Sequence, residues 1–300
     1  MSIRLATRRS PLALVQARSV AGALEQLGVE VEIVAMETSG DRTPDTPLSS
    51  LGGQGVFAVE VQRAVLEGRA DVAVHSAKDL PSSSPEGLVL ASVPDRADPV
   101  DVLVGRSLAG LGPGATVATG SPRRRALLLE RRPDLRIVEL RGNMATRLST
   151  PGTHGVDAVI AAGAALERLG ETHRIAERLN PEWFVPQVGQ GALALEARVD
   201  DVDTLSLLEL INDERELTAL RAERAFLRQL GTGCSIPAGA HAKVSDGVIA
   251  LHGVMLGIDG SKSVRFSVRG TNPEELGRLL ATTLHDDMGG ATLAGWDTVS

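Results

Sequence analysis

The stretch "LATRRSPLAL" (5–14) returns in outline as "VATGSPRRRALLL" (117–129), and this echo decides how the chain is read. Each copy begins with strand-forming residues ending in Ala-Thr, turns briefly, and then places Ser before Pro at the head of an apolar helical pattern. Serine at an N-cap and proline in the first turn open a helix, because the hydroxyl accepts an orphan N–H and proline has none to satisfy. The repeat predicts two similar α/β domains.

Reading outward, strands are expected at 3–7, 29–36, 71–75 and 88–93, with helices from Pro11 to about Leu27 and from about Val56 to Glu67. This alternation points to a largely parallel sheet. The second run predicts strands at 115–119, 136–140 and 156–162 and a helix from Pro122 to about Arg132. The last third changes character. Helical patterns at 202–211 and 214–230 precede three antiparallel strands, with "SDG" (245–247) as a hairpin turn and a closing helix at 273–288.

Composition narrows the function classes. The chain has 300 residues, a net charge of -7, 2% aromatic residues and no tyrosine, a balance unsuited to nucleic-acid binding by base stacking. No apolar run reaches the ~20 residues that span a bilayer. A single cysteine and the lack of a charged-then-apolar leader lead us to expect a reducing cytoplasm.

Against that acidic background, arginines gather at strand-to-helix junctions: Arg8 and Arg9 in the first domain, Arg123 to Arg125 in the second, with Arg141 and Arg147 in "LRGNMATRL" (140–148). Helix N-termini favour anions, and arginine adds planar recognition of carboxylate or phosphate. Taken singly, each arginine reads as a solvated surface charge; as a set they predict a polyanion site. No "GKS" or "GKT" accompanies them, so a Walker-type phosphate loop is absent. In "AVHSAKDLP" (73–81), Asp79 is either a turn-former or a carboxylate offsetting positive charge in a substrate. His75 lacks a spaced metal-ligand partner and reads as structural. Cys234, in "GTGCSIP" (231–237), is flanked by glycines and a proline that fit an exposed turn. A buried free cysteine is ordinarily a small hydrophobe, and the alternative is a thiol that anchors a covalent group.

In order, "LATRRSPLALVQA", "GDRTPDTPL", "LGGQGVF", "DVAVHSAKDLP", "ATGSPRRRALL", "ERRPDL", "LRGNMATRL", "VPQVGQGALALE" and "GTGCSIPAGAHA" resemble the porphobilinogen deaminase (hydroxymethylbilane synthase) family across about residues 3 to 240. The resemblance implies a transferase that joins four porphobilinogen molecules head to tail, with release of ammonia, into hydroxymethylbilane. It implies a dipyrromethane cofactor held through a thioether to Cys234, and Asp79 as the catalytic residue. Cofactor contacts would come from Lys78, Asp79, Thr119, Ser121, Arg123, Arg124, Arg141 and Gly142. Substrate contacts would come from Arg8, Ser10, Gln16, Ser76, Arg147, Arg168 and Gln190. No metal is expected.

The implied fold is two periplasmic-binding-protein type II-like domains with mixed sheets plus a small α+β third domain. Domain one would span 1–96 and 190–211, taking back a strand near 192–197. Domain two would span 97–189, and domain three, bearing Cys234, 212–300. The active site is expected between the first two domains, with hinge motion near 95–99 and 186–191. Partners would be porphobilinogen and the growing polypyrrole chain, with no nucleic acid or membrane, and the enzyme is expected to be a cytoplasmic monomer. The chain departs from the family pattern at Gln54 and Val59, where lysines are frequent, and at Gly120, where serine is common. The alternative reading is a non-enzymatic α/β module that binds or senses a carboxylate, in which Asp79 and Cys234 have no required role.

Overall fold

The structure is a computed structural model, and it describes residues 2–37, 58–231 and 236–296. The "GGQG" turn, Gln54, the first residues of the expected 56–67 helix and Cys234 lie outside the described residues. The chain folds into two compact units, residues 1–97 with 191–217 and residues 98–190 with 218–300.

The first unit is built on a five-stranded sheet in the order β2-β1-β3-β10-β4. Its strands are β1 (Ser2–Arg8), β2 (Glu30–Met36), β3 (Val72–Ser76), β4 (Leu88–Ser92) and β10 (Leu193–Arg198). β1 runs parallel to both β2 and β3, while β10 lies antiparallel between β3 and β4. Helix α1 (Pro11–Glu25) covers one face, packing Ala17, Val20 and Leu24 on Ile3 and Leu5; α2 (Val59–Leu66) covers the other with Val61, Ala64 and Val65 against Ala6 and Ala73. A sheet buried on both faces needs apolar residues at successive positions, which is why β3 and β10 read as near-continuous apolar runs.

The second unit repeats the plan, with order β7-β6-β8-β5-β9. Here β6 (Thr116–Ala118), β7 (Arg136–Val138) and β8 (Ala158–Ala162) are parallel neighbours. β5 (Asp101–Val104) runs antiparallel between β8 and β9 (Ile175–Arg178). Each sheet is therefore mixed, with one strand running against the other four. β5 and β9 were not expected as strands. Both are four residues long, and the polar positions of β9 hide the pattern.

Helix α3 (Pro122–Arg131) follows β6, α4 (Met144–Ser149) follows β7, and α5 (Gly163–Arg168) follows β8. In the first unit α6 (Val202–Glu209) comes after β10, and α7 (Glu214–Gln229) then leads toward the three-stranded antiparallel sheet β11 (Ala238–Ser245), β12 (Val248–Leu256) and β13 (Ser263–Gly270). The expected "SDG" turn is present. Asp246 and Gly247 both take positive φ, 51° and 73°, the pairing a two-residue primed hairpin turn needs. Helix α8 (Pro273–Thr282) is shorter than expected, because 283–287 widens into a π turn in which Leu284 stays buried. Val254 and Leu256 of β12 join Val117, Leu127, Leu128 and Phe184 in one apolar cluster, so the second sheet and the three-stranded sheet share a core.

Candidate active site

In the first unit the site follows from strand register. β1 and β3 are parallel, with Ala6 opposite Ala73, so their C-terminal ends reach the same sheet edge. That edge carries Arg8 and Ser10 from one strand and Ser76 to Asp79 from the other. Ser10 caps α1, its hydroxyl accepting from the Ala13 N–H at 3.3 Å. One turn on, Gln16 is buried, with its Nε2 2.8 Å and its Oε1 3.0 Å from the Ser76 hydroxyl. After Ser76 the chain makes a 3-10 turn, Ala77–Asp79. It is pinned by the Ala77 N–H donating to the Ala192 carbonyl at 3.0 Å and by Leu80, which is buried. The pinned ends leave Lys78 and Asp79 half-buried at the rim. Arg8, Ser10, Gln16, Ser76 and Asp79 line one recess that opens to solvent.

His75 faces the protein interior. Its Nε2 lies 3.3 Å from Oε2 of the fully buried Glu196 on β10, and Gln62 Nε2 donates to the same oxygen at 2.7 Å. Burial pushes the Glu196 carboxyl up. Contact with His75 and its charge, with hydrogen bonds from Ser84 and Gln62, outweighs this and holds it at about 2, against an ordinary 4.5. A depressed folded-state pKa stabilises the fold above the unfolded value and loses that contribution as pH falls through the folded one. Unfolding free energy should therefore drop by on the order of 3 kcal/mol between about pH 4.5 and about pH 2. Urea titrations across this window should show a steeper drop in the natural chain than in Glu196→Gln, where the other depressed carboxylates still titrate. An equal slope in both would contradict the assignment.

In the second unit the parallel β6, β7 and β8 likewise bring their C-terminal ends to one edge. The Thr119 hydroxyl accepts from the Ser121 N–H at 3.2 Å, and Ser121 in turn caps α3 through the Arg124 N–H at 3.4 Å. Arg123 and Arg124, on the first turn of α3, are buried and share the carboxylate of Asp101. Ser121 and Arg123 form a wall of a second recess together with Gln187, Phe226, Ile236 and Ala238. Arg141, on the loop after β7, pairs with Glu139 at 2.9 Å. Gly142 takes a φ of 92°, and its carbonyl accepts from Arg147 Nε at 2.9 Å. Arg168 ends α5, half-buried. Gln190 is fully buried beside Asp101 and Arg124.

Gly120, one of the departures from the family pattern, has a physical reason here. A Cβ at this position would lie 2.8 Å from the Leu140 carbonyl oxygen, so the β6–α3 turn approaches the β7–α4 loop more closely than any side chain allows. Val59, another departure, is an exposed residue at the start of α2.

Sequence reasoning missed Asp101 and Glu196. Both were visible as single carboxylates in apolar runs, "DVLV" and "LALEAR", but their arginine and histidine partners lie 22 and 121 positions away or farther. The residues suit a dipyrromethane whose rings carry carboxylates. The donor chemistry is what fits: Ser121 and Arg123 line the second recess beside the apolar Phe226 and Ile236, a set able to hold a ring that carries anionic substituents.

Comparison with known proteins gives the same direction. The family model "Porphobilinogen deaminase, dipyromethane cofactor binding domain" matches residues 3–206, and "Porphobilinogen deaminase, C-terminal domain" matches 217–286. A porphobilinogen deaminase of Syntrophotalea carbinolica is 44% identical over 290 residues, 94% of this chain and 92% of the relative. One of Geobacter sulfurreducens is 43% identical over 298 residues, 97% and 94% of the respective chains. Among solved structures, a periplasmic substrate-binding protein of an ABC transporter from Coxiella burnetii aligns at 18% identity with a TM-score of 0.44, covering 71% of this chain and 92% of that one. With two family models spanning most of its length in order, and relatives above 40% identity end to end, this chain belongs to the porphobilinogen deaminase family.

Proposed function

We propose that the chain joins four porphobilinogen molecules head to tail into hydroxymethylbilane, releasing ammonia at each addition, on a dipyrromethane primer carried by Cys234. The observation that carries this reading is the match of the cofactor-binding family model to residues 3–206. Labour divides along the chain. Residues 1–96 and 190–211 supply Asp79, residues 97–189 supply the arginines, and residues 212–300 supply the thiol.

When bound, the dipyrromethane supplies the nucleophilic α-carbon to which each new ring is joined. Loss of ammonia from porphobilinogen leaves positive charge on the substrate pyrrole, and the Asp79 carboxylate offsets that charge and accepts from pyrrole N–H groups. A half-buried carboxylate does this better than one in bulk water, since the lower local dielectric strengthens its field. Arg8, Arg147 and Arg168 hold the acetate and propionate groups of the incoming ring, with Ser10, Gln16, Ser76 and Gln190 adding neutral contacts. Arg123, Arg124 and Arg141, with Lys78, Thr119, Ser121 and Gly142, hold those of the primer. A single cysteine and a net charge of -7 fit a monomer acting in the cytoplasm, and no helix among the described residues is long and apolar enough to cross a membrane.

The test is the intact mass of the denatured protein, before and after incubation with porphobilinogen. We expect an added mass of one dipyrromethane, then a ladder of further pyrrole units. A bare polypeptide mass that stays unchanged after incubation would overturn the transferase reading in favour of a carboxylate-binding module.

A further inference from the structure

Asp101 opens β5, and its side chain is fully buried. Its two oxygens receive four hydrogen bonds: Arg123 Nη2 at 2.8 Å, Arg124 Nε at 2.9 Å, Arg124 Nη2 at 2.7 Å and Gln190 Nε2 at 3.1 Å. Each guanidinium also gives one N–H to a backbone carbonyl. Arg123 Nη1 donates to the Val185 carbonyl at 2.6 Å, and Arg124 Nη1 to the Ile160 carbonyl at 3.3 Å. Gln190 completes the frame, donating to the Pro99 carbonyl at 2.5 Å and accepting from Arg124 Nη2 at 3.3 Å. Phe184 lies against the Arg123 guanidinium, 5.7 Å from ring centre to Cζ. An arginine in water samples many rotamers and loses that freedom when it grips an anion; here the protein has fixed the planes itself.

We propose that Asp101 is a positioning residue for the primer: it fixes Arg123 and Arg124 in the orientation that receives the primer's carboxylates before any pyrrole unit is present. The inference rests on the reading under Proposed function. The two guanidinium charges keep Asp101 ionised against the upward push of its burial, which is what a permanent anchor requires. A purely structural carboxylate would affect melting alone, whereas a positioning one also sets how fast the primer is taken up.

The experiment follows primer assembly by mass on chains produced without pyrrole precursors, at a temperature where circular dichroism shows each chain folded. Asp101→Asn keeps the size of the side chain and removes its charge. Primer assembly should slow about 10- to 100-fold, the usual cost of misplaced binding groups. A folded Asp101→Asn chain that loads at the natural rate would overturn the proposal. If that variant does not fold, arginine-labelled ¹⁵N spectra of the primer-free Cys234→Ser chain decide. The Arg124 Nε–H signal should be protected from solvent exchange in the primer-free chain, as it is in the loaded natural chain. A signal averaged with solvent in the primer-free chain would overturn it. A natural chain that loads no primer sinks the functional reading by itself, and the guanidinium spectrum still judges Asp101.

Discussion

Replacing Cys234 by serine is expected to leave a bare polypeptide mass after incubation with porphobilinogen and to lower turnover by at least about 10³-fold. Cys234 is the only cysteine among 300 residues, so no neighbouring thiol can take its place. Attachment needs a nucleophile that is partly ionised near neutral pH, and a thiol with a pKa near ~8.5 provides a few per cent of thiolate. A serine hydroxyl is not measurably ionised there. The described residues on either side of Cys234 are fixed. Gly231 takes a φ of 68° just after α7, and Ile236 is buried before β11 begins. A change of one atom between those supports is expected to leave the melting temperature in place, so lost turnover reports the missing anchor. An added pyrrole mass on the serine chain would show that the primer is held elsewhere, and the role given to Cys234 would fall while the transferase reading survived.

Much of this arrangement is legible in the sequence, and the reason is local chemistry. Ser10–Pro11 and Ser121–Pro122 announce helix starts because capping and proline geometry act within a few residues, and both serines do cap their helices. "SDG" announces its hairpin for the same reason: two successive residues must accept positive φ. What stayed hidden depends on partners distant in sequence. β10 pairs with β3 across more than a hundred residues, and only the family resemblance anticipated its return. Arg123 and Arg124 read as exposed anion-binding charges. Their inward turn depends on Asp101, and nothing in "DVLV" says which residues that carboxylate will meet. Gly120 departs from the family pattern, and its reason, the Leu140 carbonyl against it, lies on a different loop. Position within a motif is written locally; burial of a charge is decided by the rest of the fold.

Asp79→Asn is expected to lower kcat by about 10²- to 10³-fold, the effect of removing one group aimed at charge that develops in a transition state. The substitution is nearly isosteric, and the turn that carries it is held by other groups: the Ala77 N–H on the Ala192 carbonyl, the Leu80 N–H on the Ala77 carbonyl at 3.2 Å, and the buried Leu80 side chain. Stability should therefore change by less than about 0.5 kcal/mol, as for substitutions away from core packing and buried charges. The amide oxygen can still accept from a pyrrole N–H but carries no charge to set against the cation left by departing ammonia. If Asp79 acts in this way, kcat and kcat/KM fall together while KM holds, because the interaction is made only as charge develops. If it merely grips the ground-state pyrrole, KM rises and kcat holds, and the catalytic role fails. Asp79→Glu separates charge from placement: it restores the negative charge one methylene out of position. Activity between the natural and Asn chains is expected, since the field of a carboxylate weakens with distance but does not vanish. A Glu chain no better than the Asn chain would mean that contact geometry, and not charge, is what Asp79 provides.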